Sequence, residues 1–172
     1  DFISKFIKIF IVYKKIATSD PIRICFLGCG EITKDHARYA KIAEKNIQLS
    51  FASRTLDKAT HFVNQFKGAN AYASYQEAIN SHDEDVIMIN TPPHIHLELA
   101  KQVVEAGKHV IIEKPPFFSS SDFDLVGPLA DQKGVQCIIA ENYFYKPLRL
   151  QIKNLLDQNL IGDPLFMNIN AT

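Results

Sequence analysis

The sequence predicts an α/β fold built on a doubly wound parallel sheet. Three observations lead there. Six short apolar runs recur between Ile22 and Ile139, each too short for a helix. Patterns of helical period separate them, the order that parallel strands joined by crossover helices require. Glycines stand where the first run meets the first helix and where several helices end. The chain has 172 residues, 47% of them hydrophobic, enough for one full core with at most part of a second domain.

"IRICFLG" is the first strand. "ITKDHARYAKIAEK" sets Ile32, His36, Tyr39, Ala40 and Ala43 on one helical face, and "IQLSFAS" is the second strand. This unit closes in about 30 residues, as a βαβ unit does. "TLDKATHFVNQFKG" carries Leu56, Ala59, Phe62, Val63 and Phe66 at helical spacing, with Gly68 as its expected C-terminal cap. A short strand near Ala71 and a short helix from Gln76 to Ile79 follow. "DVIMINT" is a buried strand, "HLELAKQVVEAG" a helix with its own terminal glycine, and "KHVIIE" the fifth strand. "SSDFDLVGPLADQKG" reads as a helix with a serine or aspartate cap, broken or kinked at Gly127 and Pro128. "VQCIIAEN" completes the sheet.

The rhythm changes after Pro147. "LRLQIKNLLDQNLIGDP" is an amphipathic helix ending at Gly162, and "LFMNINAT" begins a strand. The expected division is an N-terminal extension over 1–20, an α/β domain over 21–146, and over 147–172 the first helix and strand of a truncated α+β domain. The opening "DFISKFIKIFIVYKK" is either an added helix or an untidy terminus. Its lysines make it too interrupted to span a membrane.

Charge and cysteine content exclude other classes. Nineteen basic residues balance nineteen acidic ones, so no global field draws nucleic acid or an anionic membrane. Cys25, Cys29 and Cys137 form no CxxC pair and lie in or beside apolar runs, which reads as reduced core thiols of a cytoplasmic protein.

The chemistry gathers at strand ends. In "GCGEIT", Gly28 permits a tight turn and Gly30 lets backbone approach a pyrophosphate, whose charge meets the helix start at Glu31 and Ile32. The third fingerprint position is Thr33, implying a wider helix-to-strand contact. "SRT" follows the second strand, where NAD-binding sites carry a carboxylate on the ribose diol. Ser53, Arg54 and the nearby Lys58 instead suit a ribose 2'-phosphate, which favours NADP over NAD. His94 and His96 form an HxH pair without a third ligand at metal spacing, so no metal is expected. His36 reads as packing, and His109 as preceding its strand without chemistry.

"INTPPHIHLELAKQVVEAGKHVIIEKPPF" resembles the glucose-fructose oxidoreductase and inositol dehydrogenase (Gfo/Idh/MocA) family in the order and spacing of its TP loop, histidine, AGKHV run and EKP end. The resemblance extends over residues 22 to 172. It implies a Rossmann domain in which Thr91 and Pro92 line the nicotinamide side, His96 is the TP-loop histidine, and Glu113 lies by the nicotinamide ribose. Lys114 is then the catalytic residue, an ammonium that stabilises developing oxyanion charge, and the Lys114–Pro115 bond is cis. Asn142 in "ENYFYKP" contacts either substrate or nicotinamide, Tyr143 or Tyr145 closes the pocket, and Phe144 stands where the family carries arginine. The implied activity is NADP-dependent hydride transfer to or from a sugar, polyol or cyclic diol, with the proton-transferring group and an oligomerising sheet in the second domain. A non-catalytic NADP-binding redox sensor or regulatory module is the alternative. Loss of turnover with retained cofactor binding on removal of Lys114 separates the two.

Overall fold

The structure is a computed structural model that describes residues 20–43, 46–160, 162–166 and 168. Six parallel strands form one sheet in the order β3-β2-β1-β4-β5-β6, the doubly wound topology the alternation predicts. They are β1 (Ile22–Leu27), β2 (Ile47–Ala52), β3 (Ala71–Tyr72), β4 (Val86–Ile89), β5 (His109–Ile112) and β6 (Cys137–Ile139). The helices are α1 (Glu31–Ala43), α2 (Leu56–Phe66), α3 (Tyr75–Asn80), α4 (His96–Glu105), α5 (Ser121–Lys133) and α6 (Pro147–Asp157).

The period of two along the strands divides the core into two layers. Ile22, Ile24 and Phe26 of β1, with Val86 and Met88 of β4, meet α1 and α2 through Ala37, Ala40, Ala59 and Phe62. Cys25, Leu27, Ile87 and Ile89 face the opposite layer, built from Ala78 and Ile79 of α3, Leu99, Ala100, Val103 and Val104 of α4, and Val126 and Ala130 of α5. Both faces are buried, so the strands read as continuous apolar runs.

The face expected of α1 is rotated. Thr33, Ala37 and Ala40 are buried, whereas Ile32, Tyr39 and Ile42 are exposed. Small side chains let this helix lie close to the sheet, and a search for bulky apolar residues selects the wrong side. Gly68 also does other work than capping. Lys67 takes the left-handed conformation, at φ 50°, and ends α2. A Cβ on Gly68 would stand 2.7 Å from the Leu49 carbonyl oxygen, so glycine is required there by close approach to β2.

α5 runs unbroken through Gly127 and Pro128. Proline removes one i→i−4 bond and frees the Asp124 carbonyl, but Asp124, Gly127 and Pro128 are all exposed, so water can satisfy it. α6 ends at Asp157, before the expected Gly162, and none of its side chains is buried. Leu165 and Phe166 are exposed and lie outside any strand. The other strand expectations, at 167 and 169–172, and the added helix or untidy terminus expected over 1–15 fall outside the described residues.

At the N-terminal edge of the sheet Arg23 Nη2 donates to Asp85 Oδ1 at 2.8 Å and its Nε to Oδ2 at 3.1 Å. Lys108 Nζ donates to the carbonyls of Ser81 and Glu84, and the Tyr72 hydroxyl donates to the Glu84 carboxylate at 2.9 Å. Burial raises the pKa of Glu84 and lowers that of Lys108. These ties close the end of the sheet remote from the ligand face.

All three cysteines are free thiols. Burial raises Cys29 and Cys137 to about 11, and Cys25 well above its ordinary value. At pH 8 a thiol with a pKa near 11 is about one part in a thousand thiolate, the reactive form. The native chain is therefore expected to react with Ellman's reagent at least ~100-fold more slowly than a free thiol, with all three groups released on denaturation. A fast stoichiometric phase from the native chain would contradict this.

Candidate cofactor site

Strand order reverses beside β1, whose neighbours β2 and β4 run on in opposite directions, and a ligand crevice opens there beyond the C-terminal ends. β1 stops at Leu27 because Gly28 turns the chain, at φ 101°, with its N–H donating to the Ala52 carbonyl. A Cβ on Gly28 would lie 2.8 Å from the Asn90 carbonyl oxygen, so this turn and the exit of β4 touch backbone to backbone. Gly30 differs. A Cβ there would meet nothing within 4 Å, which leaves room for a ligand's approach at the α1 N-terminus. Glu31 and Ile32 are exposed in the first turn, and the Glu31 carboxylate pairs with Lys34.

Thr33 is completely buried and corrects the expectation of a merely wider contact. Its hydroxyl donates to the Gly28 carbonyl at 2.7 Å and accepts from Asn90 Nδ2 at 3.0 Å. One side chain thus ties the glycine turn, α1 and β4 together. Thr33→Val keeps the shape and removes both bonds, at a cost of roughly 1–3 kcal/mol from unpaired buried groups. The expected thermal scan shows a melting temperature lowered by roughly 3–10 °C. A valine variant as stable as the parent would contradict the tie.

Asn90 Oδ1 and Thr91 Oγ1 are buried polar atoms without a hydrogen-bond partner among the described residues. Buried polar groups are normally paired. Two such acceptors beside the glycine turn, with the open space at Gly30, fit a ligand that brings its own donors and phosphates. Asn90 carried no signal in the sequence, because its role depends on the turn packed against it.

β2 delivers Ser53, whose N–H donates to Tyr72 O at 3.2 Å and whose side chain is buried. Arg54 and Lys58 follow, both exposed. Lys58 lowers the thiol pKa of Cys29 against the stronger effect of burial, and Arg54 does the same to the Tyr75 phenol. Both cations therefore act toward the region of the glycine turn and the start of α3. Tyr75 was missed in the sequence, where α3 was expected to begin at Gln76.

At the other end of the crevice, Thr91 is buried and Pro92 exposed. His96 is 1% exposed, and its ring spans two turns: Nε2 lies 2.7 Å from Thr91 O and Nδ1 3.1 Å from Pro115 O. Carbonyls only accept and a neutral imidazole has one N–H, so the ring donates to one of these two carbonyls while packed between both loops. Lys114 is exposed, and its bond to Pro115 is cis. His36 is more than packing: its Nε2 stands 2.8 Å from Glu113 Oε2. His109 opens β5, and its Nδ1 accepts the Gln136 N–H at 3.1 Å.

Asn142 is exposed on a short 3-10 turn after β6. Tyr143 and Phe144 of that turn are covered by cations the sequence did not flag, Lys146 at 3.8 Å and Arg149 at 3.9 Å from the ring centroids. Among the described residues no cluster of three or more histidine, cysteine or acidic groups could hold a metal, and no helix is long and apolar enough to cross a membrane.

Residues 22–141 match the family described as "GFO_IDH_MocA: Oxidoreductase family, NAD-binding Rossmann fold". The dTDP-3,4-didehydro-2,6-dideoxy-alpha-D-glucose 3-reductase of Actinomadura kijaniata is 29% identical over 150 residues, which cover 86% of this chain and 44% of that protein. A crystal structure of a 3-ketoreductase from the same organism, in complex with NADP and TDP-benzene, superposes with a TM-score of 0.75 at 28% identity, covering 84% of this chain and 44% of that one. The WlbA dehydrogenase of Bordetella pertussis, in complex with NADH and UDP-GlcNAcA, shares the fold at a TM-score of 0.77 and 21% identity, over 84% of this chain and 42% of its own. The chain thus spans less than half the length of these relatives.

Proposed function

This chain belongs to the Gfo/Idh/MocA oxidoreductase family, and from that premise we propose that it is the cofactor-binding part of an NADP-dependent oxidoreductase acting on a secondary alcohol or carbonyl of a sugar, polyol or cyclic diol. Residues 21–146 form its dinucleotide-binding domain, and a second domain opens at residue 147. The observation that carries the reading is the pair of unpartnered buried acceptors, Asn90 Oδ1 and Thr91 Oγ1, beside a glycine turn with open space at Gly30. The cations Arg54 and Lys58 after β2, with Ser53 rather than a carboxylate at the strand end itself, support the 2'-phosphate and hence NADP. The NADP complex of the related 3-ketoreductase and the deoxysugar substrate of the related reductase point the same way.

The nucleotide supplies the hydride chemistry. The chain's residues supply placement and field. The amides at the start of α1 meet the pyrophosphate. Arg54, Lys58 and Ser53 meet the 2'-phosphate, and Glu113 takes a hydroxyl of the nicotinamide-side ribose. Lys114 faces the substrate oxygen and stabilises its negative charge as hydride leaves or arrives. Thr91, Pro92 and Asn142 border the same end.

NADPH and NADH titrated against the chain by nicotinamide fluorescence test this directly. Saturable binding that favours NADPH supports it, and equal or absent binding overturns the NADP assignment. In a protein carrying the relatives' full length, Lys114→Ala is expected to lower turnover at least ~10-fold while NADPH binding persists. Undiminished turnover would remove Lys114 from the catalytic role, and absence of turnover in the unsubstituted full-length protein would return the chain to the sensor reading.

A further inference from the structure

His36 lies on the helix that begins at the glycine turn, and Glu113 leaves β5 at the opposite side of the crevice. Their side chains meet at 2.8 Å, with 14% and 13% of their surfaces exposed, a setting where a charge-assisted bond is screened far less than on the surface. The bond engages Oε2 alone. Oε1 of Glu113 has no hydrogen bond among the described residues and keeps its acceptor capacity. The Glu113 backbone is fixed because its N–H donates to Ile89 O at 3.0 Å, while His36 is what fixes its carboxylate. Lys114 is the next residue.

We propose that His36 is a positioning residue: through Nε2–H it orients the Glu113 carboxylate so that Oε1 receives a hydroxyl of the nicotinamide-side ribose. This rests on the function proposed above. α1 then serves both ends of the nucleotide, its N-terminus at the pyrophosphate and its second turn, through Glu113, at the reactive half. A purely structural histidine would support the helix and so affect every ligand that the helix holds. A positioning histidine affects only ligands that carry the second ribose.

Calorimetric titration of the full chain with NADPH and with adenosine 2',5'-bisphosphate, which lacks that ribose, separates the two roles. His36→Ala is expected to weaken NADPH roughly 5- to 10-fold and to leave the bisphosphate within about twofold. His36→Gln, whose amide can reach the same carboxylate, is expected to recover most of the loss, and it carries the comparison if the alanine variant fails to fold. Combining His36→Ala with Glu113→Ala should weaken NADPH no further than Glu113→Ala alone. Equal weakening of both ligands, additive losses, or no effect on NADPH would each overturn the proposal. If Glu113→Ala leaves NADPH binding unchanged, or the parent chain binds no NADPH, the functional reading fails together with the proposal, whereas a Glu113 effect without a His36 effect sinks only the latter.

Discussion

Gly28→Ala is expected to lose both stability and nucleotide affinity. The residue sits at φ 101°, where an L side chain costs about 1–3 kcal/mol. The added Cβ would also stand 2.8 Å from Asn90 O, a backbone atom that cannot rotate aside. Relief requires the turn to move from β4, breaking the Thr33 ties to Gly28 O and Asn90, and overpacking of this kind costs a further ~1–3 kcal/mol. Against a domain stability of about 5–15 kcal/mol, the sum lowers the melting temperature markedly without abolishing folding. The folded fraction should bind NADPH at least ~10-fold more weakly, because the α1 amides shift relative to β4. Gly30→Ala is the control, since its Cβ meets no protein atom. It should fold normally and lose affinity only through contact with the ligand. Equal stability of the Gly28 variant and the parent would contradict the geometry.

Arg54→Ala is expected to weaken discrimination rather than binding. A guanidinium on a phosphate makes charge-assisted bonds worth about 1.5–3 kcal/mol, so the dissociation constant for NADPH should rise between ~10-fold and ~150-fold. NADH has no 2'-phosphate and should bind as before. The residual preference should fall with added salt, because Lys58 remains as an exposed cation. Equal losses for NADPH and NADH would place Arg54 outside the phosphate subsite.

The sheet was legible because its signals are local. Each apolar run and glycine declares itself within a few residues, and the order of elements follows. The face of α1 was not legible, because close packing favours Thr33, Ala37 and Ala40 over larger neighbours, a preference that only the helix-to-sheet distance reveals. Gly28, Gly30 and Arg54 were expected at the site from their strand-end positions, and Glu113 from the family resemblance. The partnerships that hold the site together join residues 19 to 77 positions apart: Thr33 with Asn90, His96 with Pro115, and His36 with Glu113. No periodicity encodes such pairs. His36 has the spacing of a packing residue, and only the fold brings a carboxylate to it.

A crystal structure of the chain grown with NADP would show whether the nucleotide lies across the C-terminal ends of the strands. It should show the pyrophosphate against the amides of 28–33, the 2'-phosphate within hydrogen-bond distance of Arg54, and the nicotinamide between Thr91 and Lys114. Nucleotide bound elsewhere, or bound in the crevice with the Lys114 ammonium turned away from the ring, would contradict it.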